Sequence, residues 1–210
     1  MDEQISYVEF LKSKRREWTG CGVEPQPLPS TLFPFQAVLT RWALKKGRAC
    51  LWADTGLGKT LMQVAWADQI PGRVLIVAPL CVGAQTKREA FNKLGITIDG
   101  DHVSITNYER LHHVNPSDYT GIVLDESSIL KSINGKTRTA LIEMFADTPY
   151  KLCCTATPAP NDIAELANHC AFLGIMSRAE MLATFFVHDQ DGWRLKGHAT
   201  QAFYRWLVSW

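Results

Sequence analysis

The sequence runs to 210 residues, enough for one domain with a full hydrophobic core. Hydrophobic residues make up 46% and charged residues 20%, the balance of a globular chain rather than a disordered one. A formal net charge of +1 excludes a globally basic or acidic chain, so any nucleic-acid contact must use a local basic groove.

Residues 1–31 read as an N-terminal helix and a proline-rich connection. Val8, Leu11 and nearby aromatics share one side of residues 5–18, and the KSKRRE run faces the other way as a solvated surface. This N-terminus is charged and amphipathic, unlike a signal peptide, and no apolar run approaches the ~18 residues of a membrane helix. The connection GCGVEPQPLPSTLFPF cannot be regular helix or central strand.

From 32 to 175 the pattern becomes regular. A helix is predicted over 34–44. Apolar runs with strand character follow at 49–53, 74–78, 103–106, 122–124 and 152–155, with helical stretches between them at 59–69, 85–93, 108–113 and 136–145. Short apolar strands alternating with helices predict an α/β fold, a parallel sheet with helices on both faces. From 161 onward no strand is predicted, and 176–210 reads as a helical extension. Its last helix carries Phe203, Trp206, Leu207 and Trp210 at i, i+3, i+4, i+7, an apolar stripe with no C-cap glycine behind it. The expectation is a chain that continues past residue 210. The six cysteines make no CxxC pair and sit mostly in apolar runs, which points to buried reduced thiols and a cytoplasmic setting.

Two segments carry chemistry. Ala53-Asp54-Thr55-Gly56-Leu57-Gly58-Lys59-Thr60 follows a predicted strand and opens a predicted helix. It fits G-x-x-x-x-G-K-[ST] with Ala53 at the first glycine. Gly56 and Gly58 let the loop turn several N–H groups toward one point, a nest for anionic oxygen, and the helix N-terminus adds positive potential. Lys59 can reach β- and γ-phosphates, and Thr60 can offer its hydroxyl to Mg2+. Farther on, GIVLDESSILK places Asp125 and Glu126 at the C-terminal end of an apolar strand, the edge where ligands of parallel sheets bind. Asp125 is expected to hold Mg2+ through water, and Glu126 to polarise the attacking water as general base.

These two motifs in this order resemble helicase superfamily 2, and more closely its Swi/Snf-type DNA-dependent ATPases, including short versions carried by phages and bacteria. LFPFQAVLTRWAL resembles that branch's glutamine motif, VLIVAPL its motif Ia, ITNYERL its motif Ib, and CTATPAPNDIAELANHCAFL its motif III and sequel. DESSILKSINGKTRTAL resembles the acidic motif with its downstream basic segment. The resemblance covers about 32–175. It implies a RecA-like P-loop NTPase lobe that uses ATP and Mg2+, with Gln36 reading the adenine edge. It implies DNA, duplex and without sequence preference, running past Pro79, Gln85, Thr106 and Asn107, with Lys131, Lys136 and Arg138 as further phosphate ligands. Ser127-Ser128 stands where the family usually has Ala-His, which leaves Ser128 to couple toward Thr155 or Thr157. A tryptophan usual near Gln85 is missing. Trp193 is the best candidate for an exposed stacking platform. The family works with two lobes, and no Q-x-x-G-R-x-x-R-like segment of a second lobe occurs here. The expected function is therefore the ATP-binding lobe of a DNA helicase or translocase. The alternatives are a nucleotide-gated adaptor without turnover of its own, or the motor lobe of a restriction system.

Overall fold

The computed structural model describes residues 17–98, 100–131, 136–190 and 192–210. The predicted N-terminal helix, its KSKRR run and the turn at Asn134-Gly135 lie outside the described residues, apart from the last two positions of the helix.

Five strands pair in parallel: β1 (Arg48–Trp52), β2 (Val74–Ala78), β3 (Val103–Asn107), β4 (Gly121–Asp125) and β5 (Tyr150–Thr155). Their order across the sheet is β1-β5-β4-β2-β3. Alternation within each strand divides the core into two halves. Ala49, Leu51, Val74, Ile76, Val123, Leu152 and Cys154 point to one face. There they meet α1 (Pro34–Lys46) through Ala43 and Leu44, α2 (Lys59–Gln69) through Met62, Val64 and Trp66, and Ala90 just after α3 (Gly83–Glu89). Cys50, Leu75, Val77, Ile122, Leu124 and Cys153 point to the other face. They are covered by α4 (Lys136–Met144), α5 (Leu166–Leu173), α6 (Arg178–Phe185) and α7 (Thr200–Leu207). The expected α/β architecture, a parallel sheet with helices on both faces, is what the structure shows.

Local chemistry sets the helix ends. Pro34 occupies the first turn of α1, and the Gln36 side chain accepts the Phe33 N–H at 2.9 Å. At α6, Ser177 and Glu180 form a reciprocal capping box. The helix predicted over 85–93 starts two residues earlier, at Gly83, and its end widens into a π turn over Ala90–Leu94. The stretch 108–113 is helical as predicted but in the tighter 3-10 form.

The C-terminal part departs from expectation. β6 (Phe186–Asp189) and β7 (Gly192–Leu195) form an antiparallel hairpin inside the stretch predicted to hold no strand. Phe186 and Val187 favour extended backbone, and Gly192 closes the turn with φ 108. Across the pair, Arg194 bonds Asp189. The apolar stripe of α7 finds its partners within the chain. Phe203 lies edge-on to Phe185 at 5.4 Å and to Phe186 at 5.5 Å, and Trp206 stacks on Phe185 at 5.1 Å. Trp210 meets Trp206 at 5.2 Å and Trp52, the last residue of β1, at 5.7 Å.

All six cysteines are unbridged; Cys50, Cys153, Cys154 and Cys170 are buried, whereas Cys21 and Cys81 are exposed. Among the described residues no helix is long and apolar enough to cross a membrane.

Because Phe203 is fully buried, Phe203→Ala is expected to destabilise the chain by about 3–5 kcal/mol. Val208, 72% exposed just past the end of α7, should tolerate alanine within about 0.5 kcal/mol. Urea unfolding of both variants checks this. An unchanged midpoint for Phe203→Ala would show that the hairpin and α7 lie outside the cooperative unit.

Candidate functional site

Strand register brings the two chemical segments together. In the β1–β5 pair Trp52 stands opposite Thr155, and in the β4–β5 pair Asp125 stands opposite Cys154. The loop after β1, the acidic pair ending β4 and the Thr155–Thr157 segment ending β5 therefore emerge side by side, at the carboxyl edge of the sheet.

The loop has the shape of an anion cradle. Gly56 adopts φ 83, and a Cβ added there would meet nothing within 4 Å. Gly58 adopts φ 77, and a Cβ there would lie 2.3 Å from Gln36 Nε2. The loop needs the left-handed backbone at both positions and the missing side chain at the second. No side chain caps the N-terminus of α2, and while the Leu61 N–H donates to Gly58 O at 3.0 Å, the N–H groups of Lys59 and Thr60 face the opening where an anion would sit. Lys59 opens that helix, and its ammonium curls back to donate to Ala53 O at 3.0 Å and Asp54 O at 3.3 Å. The charge is thus held over the loop's own mouth. Asp54 Oδ1 accepts the Thr55 N–H at 2.7 Å, and Leu57 N–H reaches Asp54 O at 3.3 Å. Thr60 is half-buried in the first turn of α2.

Gln36 is brought to this loop, but its amide is engaged internally. It is 3% exposed, donates to Leu57 O at 3.0 Å and accepts from Phe33 N. It ties the start of α1 to the tip of the loop after β1.

Opposite the loop, Asp125 is buried. Burial raises its carboxyl above the usual range; the Gln63 amide offsets part of this, the Glu126 charge adds to it, and Lys59 lowers it. Gln63 is wholly buried beside the carboxylate, yet neither of its amide atoms completes a hydrogen bond of ordinary geometry. The Tyr108 hydroxyl donates to the Asp125 carbonyl at 2.6 Å, tying the segment after β3 to the acidic motif. Glu126 follows with φ 54, the one non-glycine positive φ among the described residues. That reversal lets its carboxylate accept from Thr155 Oγ1 at 3.3 Å, while Thr155 Oγ1 also accepts the Thr157 N–H at 3.1 Å. The hydrogen bond to Thr155 expected of Ser128 is made instead by Glu126 itself. The turn beyond it begins at Ser127, the buried serine of the pair, whose Oγ meets His169 Nε2 at 3.1 Å; Ser128 follows, half-buried.

A second feature lies over β2 and β3. Pro79, Thr106 and Asn107 line one groove of about 310 Å3 together with Lys87 and Arg110. Gln85 is outside that lining; its amide donates to Glu89 across one turn of α3 at 2.9 Å. Lys131 and Arg138 belong to a different place, beside Asn168 of α5. Asn168 donates to Lys131 O at 3.4 Å and accepts from Arg138 at 3.5 Å. The Lys136 side chain lies outside what is described. Trp193 is not an exposed platform: it is half-buried, edge-on to His188 at 4.8 Å.

Sequence reasoning missed Gln63, Tyr108, His169, Lys87 and Arg110. The two cations stood at helical spacing from the motifs that line the groove and could have been found. Gln63, Tyr108 and His169 act through contacts between distant elements, for which one sequence carries no signal. Among the described residues no group of three or more His, Cys, Asp or Glu could hold a metal alone. A divalent ion here would share Thr60 and Asp125 with phosphate oxygens, and the buried Asp125 carboxylate is the kind of hard oxygen donor such an ion takes.

The family model of the SNF2-related domain matches residues 66–187. No curated protein matches the sequence. Among solved structures the chain is similar to the Sulfolobus solfataricus SWI2/SNF2 ATPase core in complex with dsDNA, at 23% identity and a TM-score of 0.61. That match covers 78% of this chain and 40% of the other. It is also similar to the UvsW helicase of bacteriophage T4, at 17% identity and a TM-score of 0.54, over 83% of this chain and 67% of that one. The Pyrococcus furiosus Hef helicase domain is similar at 16% identity and a TM-score of 0.55, over 78% and 41% of the two chains. These likenesses show a helicase-core fold, and the chain spans less than half of the Sulfolobus and Pyrococcus chains.

Burial lowers the His169 imidazole from its ordinary 6.5 to about 4. The unfolded ring takes its proton near pH 6.5 and the folded ring only near pH 4, so stability is complete above 6.5 and is lost as pH falls through this window. The loss is on the order of 3 kcal/mol. Urea midpoints between pH 7 and 4 should fall less steeply for His169→Gln than for the native chain; equal slopes would contradict a neutral buried ring.

Proposed function

The chain belongs to the SNF2-related domain family, and from that premise we propose that it is the ATP-binding lobe of a DNA-dependent ATPase, a helicase or duplex translocase motor. What supports the reading is that the β1–β5–β4 register brings the loop after β1 and the acidic pair ending β4 to one edge of the sheet, with Lys59 near enough to lower the Asp125 carboxyl.

In this reading residues 54–60 wrap the triphosphate of ATP. Backbone N–H groups of the loop and of the first turn of α2 face the phosphate oxygens. The Lys59 ammonium leaves the Ala53 and Asp54 carbonyls and pairs with the β- and γ-phosphates. Thr60 and Asp125 would hold Mg2+, which supplies charge neutralisation at the phosphates. Glu126 accepts the proton of the attacking water, and its bond to Thr155 links that event to the segment after β5. Gln36 exchanges its contact with Leu57 O for the adenine edge, its amide serving as both donor and acceptor. Duplex DNA, which the Sulfolobus relative holds, would run along the groove of Pro79, Thr106, Asn107, Lys87 and Arg110, contacted mainly through phosphates. A second RecA-like lobe would complete the ATP site with an arginine, a group that contributes ~10³–10⁵ in rate. The domain division follows: residues 32–175 as the ATP-binding lobe, with flanking segments at 1–31 and 176–210.

Calorimetry should show Mg·ATP binding that Lys59→Ala removes. Phosphate release should be slow for the chain alone, stimulated by duplex DNA, and raised when a second lobe is supplied. Glu126→Gln should keep binding while turnover falls about 10²–10⁴-fold. Fast turnover that survives Lys59→Ala would refute the reading.

Lys87→Ala with Arg110→Ala should weaken duplex binding and lower its salt slope by about one for each phosphate left without its cation. A titration of labelled duplex at several salt concentrations checks this, and an unchanged slope would move the DNA off that groove.

A further inference from the structure

Glu126 is placed by a backbone reversal that costs energy in a residue with a side chain. Something must hold it, and the turn that follows shows what does. Residues Ser127–Lys131 form one 3-10 turn, and α5 grips it at both ends with consecutive residues. Asn168 donates to Lys131 O, and His169 Nε2 meets Ser127 Oγ at 3.1 Å. Ser127 and His169 are both completely buried, so their bond is shielded from competing water. The edge of Trp52, the last residue of β1, abuts the imidazole at 6.0 Å and 83°, fixing the ring plane.

A histidine is a poor choice for filling this volume. Its Nδ1 is left without a partner, which a leucine of similar size would avoid. Among the described residues the ring's one hydrogen bond is with Ser127, the residue directly after Glu126. We propose that Ser127 and His169 are a positioning pair for Glu126: their hydrogen bond anchors the turn, holds Glu126 in its left-handed conformation and keeps its carboxylate on Thr155. The inference rests on the reading of Glu126 as general base for its meaning in catalysis, but not for its geometry. Without the anchor, Glu126 relaxes to negative φ and its carboxylate leaves the edge where water must be activated. The pair touches no reacting atom.

Crystal structures of Ser127→Ala, His169→Leu and His169→Gln test the geometry, with thermal melts to show that each is folded. Gln at 169 can place its Nε2 near the imidazole Nε2 position and restore the bond. Loss of the positive φ and of the Glu126–Thr155 bond is expected in Ser127→Ala and His169→Leu, and their retention in His169→Gln. Retention of both features in Ser127→Ala overturns the proposal. The kinetic companion is DNA-stimulated turnover. Ser127→Ala and His169→Leu should lower kcat by up to about 10²-fold with KM for ATP unchanged, and His169→Gln should recover it. Glu126→Gln separates the two ideas. If it abolishes turnover while Ser127→Ala does not alter it, the positioning pair fails and the base stands. If Glu126→Gln turns over normally, the base fails, and the crystal structures alone decide the pair.

Discussion

The parallel pairing of β5 with β1 on one side and β4 on the other is the constraint on which everything else depends. Hydrogen bonds between these strands set Trp52 opposite Thr155 and Asp125 opposite Cys154. Side chains alternate between two separate halves of the core, so a slip of one residue would turn Cys50 and Leu51 to the wrong faces and displace the loop from the acidic pair. Apolar burial thus enforces a polar geometry: the core on both faces fixes the register, and the register fixes which loops share an edge.

Each half of the site is then held by an element remote in sequence. The loop after β1 is held from α1, where Gln36 reaches Leu57 and occupies the space a Cβ at Gly58 would need. The acidic pair is held from beyond β3 by Tyr108 and from α5 by His169. Aromatic contact runs on from His169 through Trp52 and Trp210 to Trp206, so the packing of α7 reaches β1, the strand that leads into the glycine loop. Buried polar contacts of this kind add specificity of position more than stability, since each must first offset the desolvation of its groups.

Much of this was legible in the residues. The second strand and the second helix begin and end where the periodicity put them, at Val74–Ala78 and Lys59–Gln69, because continuous apolar runs and a glycine-lysine-threonine start leave little choice. The loop after β1 and the acidic pair ending β4 lie where the sequence puts them, at the ends of their strands, because each motif is contiguous in the chain. The hairpin at Phe186–Leu195 was missed because its strands are only four residues each, too short to show a period beside strongly helical neighbours. The contact to Thr155 expected of Ser128 is made by Glu126, and the buried serine of the pair is Ser127, which turns to His169. The positive φ at Glu126, and the partner of Ser127 42 positions away, are tertiary facts.

The central claim is that the loop after β1 and the acid pair after β4 form one Mg·ATP site. The most direct measurement is a crystal structure of the chain with Mg2+ and a non-hydrolysable ATP analogue. The account predicts the triphosphate within residues 54–60, Lys59 moved from the Ala53 and Asp54 carbonyls to the phosphates, and the ion between Thr60 and Asp125. A nucleotide bound elsewhere, with Lys59 still on those carbonyls, would contradict it.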